Sequence, residues 1–236
     1  MRFIPHLLYF IAFCLYLRDV LQFYFTDSGI NYNHPLIIRK AKEFFPHPAT
    51  EIKMVKTAFE FVRDNIAHSW DIQSSRVTCK ASEVICFAEG ICYAKSNLLA
   101  ALLRSQSIPT GFCYQRITLG DTPDTGYCIH ALNAGFLKSL GRWIRLDARG
   151  NKNGVDAQFS IEQEKLAFPI RTEYDEIDYP VIYMHPNPKT IATLMNNSDC
   201  ITMYLITCLP ICSKTRWSFV YRLIAYILIQ QLVLPG

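Results

Sequence analysis

The sequence is short of several features that would have assigned it quickly. No C-x-x-C pair occurs among its nine cysteines, so a zinc ribbon has no support. The cysteine count is odd and the spacing irregular in a chain of 236 residues, which does not describe a disulfide framework. Most of the thiols therefore read as small buried hydrophobes in a reducing compartment, which predicts a cytoplasmic protein. Neither G-x-x-x-x-G-K-[ST] nor G-x-G-x-x-G appears, so nucleotide chemistry is unsupported. No apolar run reaches the 18 residues that argue for a membrane span. Low-complexity tracts and internal repeats are absent.

A basic body is missing too. The formal net charge is +4, but residues 1–25 carry +1 (Arg2, Arg18, Asp19) and residues 214–236 carry +3 (Lys214, Arg216, Arg222). The middle of the chain is formally neutral, which argues against a nucleic-acid partner. Half the residues are hydrophobic and 19% are charged, a composition that folds around a core. The length suits one well-cored domain.

Both ends differ from the middle. Residues 3–17 are uncharged and stop at Arg18-Asp19. They read as a packed helix, with a signal or an anchor as the alternative. The stretch from Trp217 to Pro235 is apolar apart from Arg222 and Gln230-Gln231, and suits either a buried helix or a tail lying on a membrane surface. The expected organisation is an apolar extension over 1–25, one domain over 26–212, and an apolar basic tail over 213–236. Membrane contact through the two ends, and with it a membrane-associated location, is the alternative to a cytoplasmic one.

Inside the domain, residues 35–69 read as helical, opened by Pro35 and broken at Pro46 and Pro48. Thr50 is the N-cap of a second helix, whose apolar stripe is Ile52, Val55, Ala58, Phe59 and Val62. Residues 92–104 (CYAKSNLLAALLR) form the strongest helix, rich in Ala and Leu. Glu89-Gly90 lets the chain turn sharply into it. An extended segment runs from Thr110 to Leu119 and a turn-rich loop spans 120–126. Two strands follow, Cys128 to Leu137 and Arg142 to Ala148, joined by a turn at Lys138-Ser139-Leu140-Gly141.

Cys92 is singled out by its place at the first position of that helix. The unpaired N–H groups and the positive end of the dipole favour a thiolate, which is the nucleophilic form of cysteine. The same N–H groups suit an oxyanion formed by attack on a carbonyl. His130 and Asp147 fall on consecutive strands, and a turn centred between 138 and 139 would set them directly opposite one another, where a carboxylate can hold an imidazole in one tautomer. A bulge at Gly141 would shift that register. A second oxyanion donor is sought upstream or on the adjacent strand, at Trp70, Gln73 or Gln115. Trp143 reads either as a channel wall or as core. Arg149 reads as a plain solvated arginine, with pairing to a carboxylate such as Glu89 as the alternative, and Asp175, Glu176 and Asp178 form a solvated acidic loop or a selector for basic substrates.

The segments Gly90-Ile91-Cys92 through Arg104, Ser107-Ile108-Pro109 through Phe112, His130-Ala131-Leu132-Asn133, and Trp143 through Asp147 together resemble the core of the transglutaminase-like superfamily, and the run Asp147-Ala148-Arg149-Gly150-Asn151 resembles a bacterial branch of it. Ser107 stands where that family usually has Gly. The resemblance implies a papain-like α+β fold with the nucleophile helix packed on an antiparallel β-sheet. It also implies Cys92 as nucleophile, His130 as general base and then acid, and Asp147 as the residue orienting His130. The expected activity is attack on a peptide, glutaminyl or small amide substrate through a thioester, with hydrolysis ahead of transamidation. A non-catalytic scaffold binding a peptide or protein is the alternative. No cofactor or metal is expected, calcium included, because no acidic loop has ligand spacing.

Overall fold

The computed structural model describes residues 29–45 and 49–207. The two apolar ends and the Pro46–Pro48 break lie outside the described residues. Helix α1 (Pro35–Phe44) has Pro35 in its first turn, and the His34 side chain accepts from the Leu36 N–H. Helix α2 (Glu51–Asn65) begins at Thr50, whose hydroxyl accepts from Lys53 N, and it buries Val55, Ala58, Phe59 and Val62. The two-residue strand β1 (Ala67–His68) follows directly. Helix α3 (Ala81–Phe87), which the periodicity does not announce, leads into strand β2 (Glu89–Gly90) and helix α4 (Cys92–Ser105).

Strands β3 (Thr110–Thr118), β4 (Tyr127–Leu137), β5 (Arg142–Leu146) and β6 (Ile177–Asp178) make one antiparallel sheet in the order β5-β4-β3-β6. Two further helices, α5 (Pro188–Met195) and α6 (Cys200–Thr207), close the described chain. The helices pack on the sheet through α4, which is buried along almost its whole length. Leu98, Leu99, Leu102 and Leu103 belong to one continuous core with Phe59, Phe112, Ala131 and Leu146. This is an α+β architecture with the helix that begins at Cys92 packed against an antiparallel sheet, as the sequence predicts.

Two details depart from expectation. Strand β4 does not alternate between buried and exposed positions; it is buried almost throughout. Ala131 and Leu137 join the main core, while Leu132 and Ala134 pack with Cys113 beneath Trp143, Leu166 and Ile182. The returning chain after β5 thus covers the face that a two-layer reading leaves to solvent. The hairpin register is also displaced. Leu137 pairs with Arg142 and Asn133 with Leu146, so the loop is the four residues Lys138–Gly141, as the sequence predicts, but its centre lies one residue later than direct opposition of His130 and Asp147 requires. Gly141 adopts a φ of +62°, a left-handed conformation that glycine takes at no steric cost. The displacement moves the register by two residues. A shift of two leaves every side chain on its original face.

The expected membrane contact is corrected for the described residues, outside which the two apolar ends lie. A helix needs about 20 apolar residues to cross the hydrocarbon layer. The longest described helix, α2, has 15 and carries a polar face, and among the described residues no helix is long and apolar enough to cross a membrane.

Candidate active site

The site begins with a short parallel pairing. Ala67 pairs with Glu89 and His68 with Gly90, which carries the chain through Ile91 into α4. Gly90 is required by space and not by a turn. A Cβ there would lie 2.9 Å from Thr78 Oγ1 and 3.0 Å from the Ala94 side chain. Glu89 is buried and held by Arg76. Ile91, the N-cap, supplies no capping side chain, so the first turn of α4 keeps its N–H groups for other use. Cys92 is the first helical residue and is 8% exposed.

His130 and Asp147 come together despite the shifted register. Asp147 is one residue past the end of β5, on the same face as His130 and one diagonal step from it. Its Oδ2 lies 2.8 Å from His130 Nε2 and accepts from Ala167 N at 2.9 Å, while Oδ1 accepts from Arg149 N at 3.3 Å. The other imidazole nitrogen, Nδ1, is left free of Asp147, and the Cys92 side chain lies close enough to interact with the ring. Burial opposes the imidazolium, but the Asp147 charge, its hydrogen bond and the Cys92 contact outweigh that penalty and push His130 up to about 10. Burial likewise opposes ionisation of Asp147, and the facing imidazolium and two backbone N–H donors hold its carboxyl below the usual range. Phe168 stands edge-on to the His130 ring, with centroids 5.0 Å apart.

Cys92 and His130 line a cavity of about 280 Å³, together with His68, Trp70, Phe168 and Tyr204. Of the three oxyanion candidates, Trp70 reaches this cavity, its indole stacked 4.4 Å from the Tyr204 ring. Gln73 does not line it; its side chain turns back to the Trp70 carbonyl. Gln115 pairs with His130 across β3 and β4 but is enclosed in the sheet, with Oε1 lacking a partner. Trp143 packs against Phe136 in the second cluster, away from the cavity.

The surrounding charges are organised differently from the sequence reading. Arg149 makes a bidentate pair with Asp71, at 2.5 and 2.9 Å, and not with Glu89. Lys152 bonds the same carboxylate. Burial opposes the Asp71 charge, but these two cations win and hold its carboxyl at about 2. The acidic run is not a free selector for basic substrates. Glu176 is buried against Arg171 and Thr118, and Asp178 bonds Arg145.

Two polar residues inside the site went unmarked in the sequence. Lys95, one turn into α4, is 1% exposed and donates to the Ile66 carbonyl, tying the helix to the entry of β1. Burial, reinforced by the Arg149 charge, lowers it to about 7. A lysine amid the Ala and Leu positions of a buried helix was the available signal. His68 is buried beside Cys92, and nothing in its local pattern distinguished it from an ordinary core histidine.

Comparison with known proteins follows the same lines. The family model described as the transglutaminase-like superfamily matches residues 39–148. Among solved structures, a candidate cysteine protease from Cytophaga hutchinsonii is similar at 21% identity with a TM-score of 0.44. The match covers 56% of this chain and 42% of that one. The periplasmic domain of TgpA from Pseudomonas aeruginosa is similar at 16% identity with a TM-score of 0.42, over 56% of this chain and 46% of that one. The chain therefore spans less than half the length of either structure. No curated protein matches. Neither the cytoplasmic placement nor its membrane-associated alternative is retained: among the described residues no helix is long and apolar enough to cross a membrane, and the fold assigns no compartment. Residues 39–148, which hold Cys92, His130 and Asp147 on the α4 helix and the antiparallel sheet, are the part of the chain that matches the transglutaminase-like superfamily model.

Proposed function

We propose that the protein is a cysteine-nucleophile enzyme acting on amide bonds of a peptide, glutaminyl or small-molecule substrate. The carrying observation is the chain of contacts from Asp147 through His130 to Cys92, ending at an uncapped helix N-terminus in a cavity. In this reading His130 takes the Cys92 proton, and the sulfur attacks the carbonyl carbon. The Cys92 N–H and one further donor, with Trp70 retained as a candidate, receive the oxyanion. Imidazolium protonates the departing amine, and the thioester left on Cys92 is released by water or by a second amine. Hydrolysis is the favoured outcome, since water is always present and the sequence carries no clear second-substrate feature.

A second reading stays in view. The comparisons reach as far as the fold, and a non-catalytic scaffold that binds a peptide or protein partner shares that fold. The small volume of the cavity and the burial of Cys92 favour it. Limited iodoacetamide labelling, mapped by mass spectrometry from about pH 5 to about pH 9, separates the two. Burial holds Cys79, Cys113, Cys128 and Cys200 as thiols, pushed up to about 11 or 12, so they form a slow internal reference. The enzyme reading expects preferential labelling of Cys92 below the ordinary thiol pKa of about 8.5, weakened by His130→Ala. Labelling of Cys92 no faster than those four would make the scaffold the better account. Incorporation of an added amine into a glutamine peptide would replace hydrolysis by transamidation.

A further inference from the structure

His68 takes no part in the Cys92, His130 and Asp147 chain, yet it stands beside it. It pairs with Gly90, two residues before Cys92, and is 5% exposed while lining the cavity that Cys92 and His130 share. Its Nδ1 is enclosed and has no hydrogen-bond partner. The carboxylate nearest in sequence, Asp71, is taken by Arg149 and Lys152. A neutral imidazole offers one N–H and one lone pair. Enclosed N–H groups without an acceptor are rarer than enclosed lone pairs without a donor. The proton therefore belongs on Nε2, and the ring presents a neutral donor. Burial, followed by the Arg149 charge, holds His68 well below its ordinary value, and the nearby His130 acts in the same direction. The site thus contains two imidazoles in opposite states, His130 charged against Asp147 and His68 uncharged.

We propose that His68 is a further catalytic residue, whose Nε2–H donates a hydrogen bond to the substrate carbonyl oxygen as Cys92 attacks. The inference rests on the acyl-transfer reading above. The thiolate pair forms the S–C bond, and the carbonyl π pair moves onto oxygen, which accepts from His68 and from the Cys92 N–H. Collapse re-forms the C=O bond and expels the leaving group with its bonding pair. A neutral donor suits this role, since it meets the developing charge without adding a second cation beside the His130 imidazolium.

Two reagents on the full chain test the assignment. p-Nitrophenyl acetate acylates a thiolate through an oxyanion and releases p-nitrophenolate. Iodoacetamide alkylates the same sulfur by direct displacement of iodide and forms none. His68→Phe is expected to slow acylation on the order of 100-fold, the scale for loss of one oxyanion donor, and to leave Cys92 alkylation at the wild-type rate. His68→Gln, which restores an N–H donor, is expected to recover most of the loss. If His68→Phe does not fold, His68→Ala takes its place beside His68→Gln. Unchanged acylation in the variant overturns the proposal. Parallel loss of acylation and alkylation overturns it as well, since that marks a merely structural ring. So does a loss found in Trp70→Phe but absent in His68→Phe. Failure of wild-type Cys92 to react preferentially with either reagent would remove the enzyme reading itself. Normal wild-type reaction with an unaffected His68 variant removes only the role given to His68.

Discussion

Replacing Asp147 by asparagine deletes one charge and one acceptor from a fully enclosed carboxylate whose two oxygens meet His130 Nε2, Ala167 N and Arg149 N. All three groups around it are donors when His130 is charged. The asparagine amide nitrogen has to face one of them, and the longest contact, Arg149 N at 3.3 Å, is the cheapest to lose. The side chain should therefore settle with its oxygen toward His130 and Ala167. Breaking a buried ion pair costs about 3–5 kcal/mol. The variant should fall near the lower end, at about 3 kcal/mol, because His130 can discharge instead of remaining an unpaired cation. For a chain of this size that corresponds to a Tm lower by about 6–12 °C. The effect depends on pH. His130 is raised in the fold, so its contribution is complete below about 6.5 and is lost as pH rises through about 10. Asp147 is lowered, so its contribution is complete above about 3.9 and is lost as pH falls through its folded value. The difference in Tm between wild type and Asp147→Asn should be largest between about pH 4 and pH 6.5 and should shrink toward pH 10. Thermal melts over that range measure it, and histidine proton NMR of the variant should show His130 titrating at lower pH. Equal melting curves at all pH values, or an unmoved His130, would refute the ion-pair account of the site.

Other perturbations probe the shell around the pair. Arg149→Met should remove the bidentate bonds to Asp71, which keep that carboxyl at about 2, and cost about 2 kcal/mol at neutral pH. Because Asp71 is lowered in the fold, this cost should vanish as pH falls through about 2; a denaturant midpoint equal to wild type at neutral pH would count against it. Gly150 holds a φ of +112°, and a Cβ there would lie 3.3 Å from both the Arg63 carbonyl and Lys95 Nζ. Gly150→Ala should therefore destabilise by about 1–3 kcal/mol, read in the same denaturant titration, with a neutral result showing that the segment after Asp147 relaxes freely.

Much of this was legible in local pattern. The capped start of α2 at Thr50, the Ala/Leu helix from Cys92 and the strands around His130 and Asp147 follow from spacing and propensity, which act over a few residues at a time. The hairpin shows where such reasoning stops. A turn of four residues with Gly141 left-handed has nearly the same local signal as one centred a residue earlier. The contact between His130 and Asp147 survived because the resulting shift was even, and the carboxylate could reach diagonally.

The sequence by itself determined which residues are chemically able to act: a thiol at a helix start, an imidazole and a carboxylate on consecutive strands, and a body without excess charge. Only the tertiary structure decided what surrounds them. Arg149 found Asp71, 78 residues away in sequence, in place of Glu89. Glu176 turned inward to Arg171 and Thr118, and His68 arrived beside Cys92 through a two-residue parallel pairing. Such contacts join segments whose local sequences carry no trace of one another. They are selected when the chain closes its core and every buried charge must find the partner that costs least to leave in place.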